Sequence, residues 1–243
     1  IHKNLTEMYG LSGSIFDQYI RFWKQLLRFD LGPSLTSFPT PVIEIIRTSL
    51  PYTVGLMSIS IIIAWFIGNI LGAVGGYFKN KWSKIIEISA MVIYPIPYYI
   101  MALILVIIFV YILPIFPLMG GSTVGMTPSF SLRFIASIIW HGFLPALSLT
   151  IINVSVDFLL MRSLVQGIVS SDYVLFAEAS GVKKRKIIFR YLIRNAMLPR
   201  ITSLAIQLGV IFNGALVTEY VFSYPGLGML LRDAIMQGDF NLL

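Results

Sequence analysis

Long uncharged apolar runs alternate with short charged ones along this chain, and the first such run lies between Arg47 and Lys79. A helix of about 20 apolar residues is long enough to cross a hydrocarbon core of about 30 Å. The pattern therefore predicts four spans, roughly 51–75, 88–113, 134–160 and 197–222. Ahead of them, residues 1–47 mix polar and apolar positions, and Ile15, Tyr19, Phe22 and Leu26 fall at helical spacing. This predicts an amphipathic helix over about 14–29 whose aromatics rest on the membrane surface or on the other spans. Gly32-Pro33 and Pro39-Thr40-Pro41 break the chain after it.

Between the third and fourth spans the pattern predicts a short helix. Ser171 or Asp172 can cap its first amides, and Gly181 tolerates the left-handed backbone that ends many helices. Such a helix has about nine residues and a length of about 14 Å. A second helix, carrying Lys183, Lys184, Arg185, Lys186, Arg190 and Arg194, leads from it into the fourth span. Past that span, Tyr224-Pro225-Gly226-Leu227 suits a type II turn, with Pro second and Gly third.

Within the first span Pro51 suits the first helical turn, and Ser60, Ala64, Gly68, Gly72 and Gly76 recur every fourth residue. Such a stripe lets a second helix approach backbone to backbone, a packing role. Pro95 and Pro97 lie inside the second span and predict a kink. Tyr94, Tyr98 and Tyr99 cluster at that bend and either line a substrate path or belong to an interfacial belt. In the third span Asn153 and Asp157 share a face one turn apart. Asp157 is either a functional group at membrane depth or a side chain reaching the headgroups near Arg162. Ala205, Gly209 and Asn213 repeat the four-residue stripe in the fourth span, where Gln207, Asn213 and Glu219 add polar groups. The candidate translocation pathway residues are thus Tyr98, Asn153, Asp157, Gln207, Asn213 and Glu219. His141 has no His, Cys or acidic partner at ligand spacing, so it reads as an interfacial hydrogen-bonding residue and no metal site is expected.

Composition places the chain in a bilayer: 57% of the 243 residues are hydrophobic and 12% charged, with a mean hydropathy of +0.83. The absence of cysteine excludes a disulfide framework and a thiolate metal site. A net charge of +7 is explained by topology rather than by nucleic acid. The loops on the side of the short helix, Arg200 included, hold eleven basic residues against three acidic ones, and the other side seven against six. Lys/Arg excess marks the cytoplasm, so residues 161–199 are expected inside and residues 1–47 outside. No lysine follows a glycine, so there is no phosphate-binding loop, and nucleotide-driven work would need a separate ATPase. Tyr173, Phe176, Ala177 and Ser180 fall on one face of the short helix, which either lies in a partner's groove or along the membrane interface.

Several of these stretches carry a resemblance. Asp172-Tyr173-Val174, Ala177-x-Ala179-x-Gly181 and Arg194-Asn195-Ala196-x-Leu198-Pro199 resemble the cytoplasmic coupling loop of binding-protein-dependent ABC transporter permeases of the dipeptide/oligopeptide branch. Asp30-Leu31-Gly32-x-Ser34, Leu50-Pro51-Tyr52-Thr53, Pro95-x-Pro97, His141-x-x-Leu144-Pro145-Ala146-Leu147 and Glu219-Tyr220-Val221-Phe222-x-x-Pro225-Gly226-Leu227-Gly228 extend the similarity in order over most of the chain. Departures are Glu178, only three residues ahead of Gly181, and Leu159 and Gly167, where that branch often has Arg and Glu.

The resemblance implies an all-α polytopic membrane protein with a cytoplasmic coupling helix and one further span at each end of the sequence. It divides the chain into an extracellular amphipathic segment, 1–47, and a transmembrane permease domain, 48–243, with its coupling loop at 161–199. It further implies a prokaryotic plasma membrane location, a second homologous permease, two ATPase subunits that carry ATP and Mg, and an extracellular substrate-binding protein. The residues it assigns to ATPase coupling are Asp172, Tyr173, Phe176, Ala177, Glu178, Gly181, Val182, Lys183, Arg185 and Arg194. Two other classes stay open on the residues alone. An ion- or proton-coupled secondary carrier would use Asp157 and Glu219. An intramembrane hydrolase would have only His2 and His141, and no cysteine, from which to build a nucleophile and base.

Overall fold

The computed structural model describes residues 14–127, 129–209 and 212–243, with backbone alone for 212–215. The regular structure among these residues is helical. Helix α1 (Ile15–Leu27) opens on a capping box in which Ser14 and Asp17 each satisfy the other's backbone amide. It is followed by α2 (Val42–Tyr77), α3 (Lys81–Ile93) and α4 (Tyr98–Val106) with a π-helical extension, Ile107–Ile112. Next come α5 (Leu132–Val169), α6 (Asp172–Ala179) and the single turn α7 (Lys184–Lys186), which passes through a π-helical segment, Ile187–Ile193, into α8 (Arg194–Gly209). The chain closes with α9 (Phe212–Val221) and α10 (Leu227–Gln237).

Two of these helices, α2 and α5, are long and apolar enough to cross a membrane, and α3 with α4 makes a third candidate if the bent pair is one span. The chain is an all-α membrane protein. Helices α2 and α5 have 36 and 38 residues, about 54 and 57 Å at 1.5 Å per residue, so both outrun a hydrocarbon core of about 30 Å. Their surplus turns carry Glu44 and Arg47 at one end and Arg162 and Gln166 at the other, residues suited to headgroups and water. Pro51 consequently sits well inside α2, and Pro41 takes the cap position expected for a helix start. The bend at Pro95 and Pro97 is a 104° break rather than a kink. Neither proline can donate a backbone hydrogen bond, and residues 94–97 leave the helix.

The seam between α2 and α5 follows the small-residue stripe. Ser60, Ala64, Gly68, Gly72 and Gly76 are all buried. A Cβ built on Gly68 would stand 2.5 Å from the Asp157 Cβ, and one on Gly72 2.6 Å from the Phe158 carbonyl oxygen. At Gly76 it would stand 2.9 Å from the Val165 Cβ. Real side chains do not tolerate such distances, so glycine is what allows the backbones to touch here.

Two apolar cores flank this seam. One gathers Leu56, Met57 and Ile61 of α2, Met101 and Leu105 of α4, Leu144 and Ile152 of α5, and Phe222 with Tyr224. The other joins Ala73, Met161 and Val165 to Val174 and Ala177 of α6 and to Ile187, Ile188 and Leu192. The loops sort to the same two ends. Beyond the first core, Gly120 N–H donates to the Phe222 carbonyl at 3.2 Å. Asp239 there accepts from the hydroxyls of Ser34, at 2.5 Å, and Thr36, at 3.0 Å. Beyond the second core lie residues 78–81 and the short helix α6, with Lys184 Nζ 5.7 Å from the Phe78 ring centre.

Candidate functional site

Helix α6 is held as an outlying finger with two unlike faces. Ser171 adopts extended backbone before it, but no side chain caps its first amides, because the Ser171 hydroxyl donates to the Ile168 carbonyl at 2.5 Å. Asp172 puts a carboxylate in the first turn, where the helix dipole favours one. At its far end Gly181 has φ +74°, and Val182 N–H donates to the Ala177 carbonyl at 3.0 Å. That left-handed residue turns the chain back toward Lys183, the cap residue of α7. Val174 and Ala177 are buried against the second core, whereas Tyr173, Phe176 and Leu175 stand out, Phe176 being 75% exposed. This corrects the expected face: Ala177 belongs to the inner side and leaves Tyr173, Phe176 and Ser180 on the outer one. Polar contacts brace the finger from both sides. Tyr77 donates to Glu178 at 2.7 Å, and Asn195 Nδ2 donates to the Tyr173 hydroxyl at 3.0 Å. Lys183, Arg185, Arg190 and Arg194 are exposed around it, and Val182 is half-buried.

Four of the polar residues expected along a pathway meet in the middle of the bundle. Tyr98 donates to Asn153 Oδ1 at 3.3 Å, and Gln207 Nε2 donates to Asp157 Oδ1 at 3.4 Å. The centre of this group is Arg200, which the charge pattern assigned to a cytoplasmic loop. Its side chain is buried, ion-paired with the fully buried Asp157, and donates from Nε to Asn69 Oδ1 at 2.7 Å. Trp65 Nε1 donates to the Arg200 carbonyl at 3.1 Å, and Asn69 Nδ2 to the Trp65 carbonyl at 2.6 Å. Asp157 therefore turns toward α8 rather than to the headgroups. Arg162, its neighbour in the sequence argument, pairs instead with Glu87 of α3. Tyr94 and Tyr99 remain exposed, so of the three tyrosines at the break Tyr98 alone joins the cluster.

Glu219 lies elsewhere. Fully buried in α9, it accepts from the Gly228 N–H at 2.6 Å, while Thr53 Oγ1 accepts the Leu227 N–H at 2.8 Å. The carboxylate thus occupies the N-terminal end of α10, where unpaired amides welcome negative charge. Gly226 has φ −94°, not the positive φ of a type II turn. Glycine suits this position for another reason, since a Cβ there would stand 2.3 Å from the Glu219 carboxylate and force it to move. Asn213, the remaining expected pathway residue, has a side chain outside the described residues. His141 Nδ1 lies 2.8 Å from the Ser137 carbonyl, one turn back along α5. A groove of about 670 Å³ between α2 and α5, lined by Tyr52, Ile59, Ile63, Ile139 and Phe143, is apolar and contains none of the pathway residues.

Sequence reasoning missed Arg200, Asn69 and Trp65. Asn69 carried a usable signal, being a polar residue in an uncharged span beside Gly68, the same signal that singled out Asn153.

The match to known proteins covers the residues that build both sites. Residues 68–243 match the family described as "Binding-protein-dependent transport system inner membrane component". The oligopeptide transport system permease protein AppB of Bacillus subtilis is 31% identical over 99% of this chain and 75% of its own length. The dipeptide transport system permease protein DppB of the same organism is 28% identical over 100% of this chain and 74% of its own length. The glutathione transport system permease protein GsiC of Salmonella paratyphi A is 28% identical over 98% and 73%. With the finger, the glycine seam and the Glu219 turn all inside the aligned region, the chain belongs to the binding-protein-dependent ABC transporter permeases, in their dipeptide/oligopeptide branch.

Proposed function

We propose that this chain is the transmembrane permease subunit of an ATP-driven importer for di- or oligopeptides or a similar small solute. Four spans, formed by α2, the broken pair α3–α4, α5 and the α8–α9 pair, carry the solute, and α6 is the coupling helix that docks on a separate ATPase. The observation that carries this reading is the division of α6 into a buried inner face, Val174 and Ala177, and an exposed apolar outer face, Tyr173 and Phe176. An apolar face on a cytoplasmic loop is a liability unless something covers it. A groove in the ATPase is the natural cover for so short a helix.

The inner face supplies the transmission. Val174 and Ala177 pack in one core with Met161 and Val165 of α5 and with Ile187, Ile188 and Leu192, and both routes run on to the Asp157–Arg200 pair. Movement of the finger on ATP binding by the partner therefore bears on α5 and α8 together, and the spans rearrange as packed units. In this arrangement the α6 end faces the cytoplasm, in accord with its basic residues. The opposite end, which holds residues 29–41, 114–127, 129–131 and 223–243, receives solute from an extracellular binding protein. A second homologous permease completes the pathway, with Tyr98, Asn153, Asp157 and Gln207 beside it. ATP and Mg belong to the two ATPase subunits.

Co-purification of the tagged full-length protein from its native membrane tests this. ATPase subunits and a second permease are expected with wild type, and the Phe176→Glu variant should lose the ATPases while keeping the second permease. Wild type that never carries an ATPase would overturn the reading.

A further inference from the structure

Helix α1 separates its residues more cleanly than any other element described here. At about 100° per residue, Ile15, Phe16, Tyr19, Ile20, Phe22, Trp23, Leu26 and Leu27 fill one continuous arc of about 160°. Asp17, Gln18, Lys24 and Gln25, with Arg21 and the following Arg28, take the opposite side. None of its residues is buried, and Phe16 and Leu27 are 69% and 77% exposed. One flank borders a cleft of about 470 Å³ whose other wall is Phe240 and Asn241. Phe16, Ile20, Trp23 and Leu27, on the other flank, do not line that cleft.

What covers that flank follows from where the helix is tethered. The chain enters and leaves the loop after α1 at one place, because Val42 N–H donates to the Gly32 carbonyl at 2.9 Å and Pro33 pairs with Pro41. Asp239 and Asn241 fasten the same loop through Ser34, Thr36 and the Pro33 carbonyl. Leu27 is thus five residues from the point where α2, a membrane helix, begins, within about 17 Å even if fully extended. The surplus length of α2 over the hydrocarbon core places that point in the headgroup layer. The basic side chains of α1, Arg21, Lys24 and Arg28 against Asp17, suit anionic headgroups, and Trp23 and Tyr19 suit the interface.

We infer that α1 lies in the plane of the membrane interface, with Phe16, Ile20, Trp23 and Leu27 among the upper acyl chains and its basic side toward anionic phospholipid headgroups. The helix acts as a float that sets the depth and tilt of α2 and keeps the loop clasped by Asp239 at the bilayer surface.

The 243 residues contain no cysteine, so once any cysteine elsewhere in the full-length chain is replaced by serine, single cysteines report position directly. The full-length permease is reconstituted into phosphatidylethanolamine/phosphatidylglycerol vesicles with an environment-sensitive fluorophore at Ile20→Cys, Leu27→Cys or Lys24→Cys. Ile62→Cys on the exposed side of α2 controls for insertion. Labels at 20 and 27 should be quenched at least twofold by lipid carrying a spin label at acyl carbon 5, and less by one at carbon 12. The label at 24 should be quenched by aqueous iodide. Replacing phosphatidylglycerol with phosphatidylcholine should weaken lipid quenching at 20 and 27 and leave position 62 unchanged. Labels at 20 and 27 open to iodide, or shielded from iodide and lipid alike as under a protein partner, would overturn the inference. Quenching that ignores phosphatidylglycerol would overturn the role of the basic side. None of these outcomes depends on the ATPase, so failure here is distinct from failure of the importer reading.

Discussion

Asp157 and Glu219 look alike in the sequence, each a lone acid in an apolar span, yet the fold partners them by unrelated means. Asp157 meets the guanidinium of Arg200, 43 residues away, inside a network that joins α2, α5 and α8. Glu219 meets backbone, the Gly228 amide nine residues on. The first arrangement is a charge pair spanning the bundle, and the second is a cap on a local turn. An acid at membrane depth is therefore a question about its partner before it is a question about transport. Each acid here is engaged through one oxygen, Asp157 Oδ1 and Glu219 Oε2, and the two arrangements should fail differently.

Breaking the long-range pair should have the largest effect. Arg200→Met leaves Asp157 charged, buried and without its ion partner, a loss of about 3–5 kcal/mol. Arg200→Met combined with Asp157→Leu removes both charges and should recover most of it, since a buried pair contributes little over an apolar replacement of similar size. Thermal unfolding of the detergent-solubilised variants checks this. A double variant no more stable than the single would show that the loss comes from the other contacts of Arg200, such as Asn69, and not from an unpaired Asp157.

The local cap should be weaker and should show coupling of a different kind. Glu219→Ala removes the acceptor of the Gly228 amide, at about 1–3 kcal/mol. Gly226→Ala drives a methyl group into the carboxylate and should cost a similar amount, about 1–3 kcal/mol. In the double variant the collision is gone, so its loss should fall short of the sum by about 0.5–3 kcal/mol. A strictly additive cycle would separate Gly226 from Glu219.

These two sites also mark how far the sequence carried. The glycine seam was legible because close helix approach leaves small residues at a fixed four-residue spacing. The finger was legible because its ends are local: Ser171 and Asp172 at one, Gly181 at the other. Arg200 was not legible, since it follows a basic run and only the packing of α8 against Asp157 takes it out of the loop tally. Removing it leaves the finger side with ten basic residues against three acidic, and the excess keeps its sign. Gly226 pointed to the wrong turn because close approach to a carboxylate and a positive φ both select glycine. Helix α10 was overlooked although Gly238, with φ +68°, supplies the C-terminal signal that identified the finger's end.

A third acid sharpens the comparison outside the spans. Burial pushes the Asp239 carboxyl up, but hydrogen bonds from Ser34 and from the amides of Leu35, Thr36 and Leu242 outweigh it and hold the group at about 2, below the ordinary 3.8. The folded value is depressed, so its stabilising contribution is complete above pH 3.8 and is lost as pH falls through about 2. Pepsin, active in that window, should cut the 29–41 loop of wild type faster as pH drops, relative to an unfolded control. Asp239→Asn should be cut quickly throughout the window, and a wild-type rate that does not change would remove Asp239 from the clasp.

The smallest effect is expected at the edge of the Asp157 network, where it separates packing from transport. Tyr98→Phe removes one hydroxyl and its 3.3 Å bond to Asn153, whose Nδ2 keeps the Leu149 carbonyl at 2.9 Å. One half-buried hydrogen bond is worth about 0.5–1.5 kcal/mol, and the ring stays to fill its place. Stability should therefore barely change. If Tyr98 stands beside the solute path, uptake by the reconstituted importer should shift in solute dependence while ATPase activity in the absence of solute stays at the wild-type level. If Tyr98 only braces the break at Pro97, both should fall together or not at all. A membrane tyrosine that contributes little to folding can then be assigned by what it does to transport, the distinction that Arg200→Met cannot make because an unpaired Asp157 unsettles the bundle.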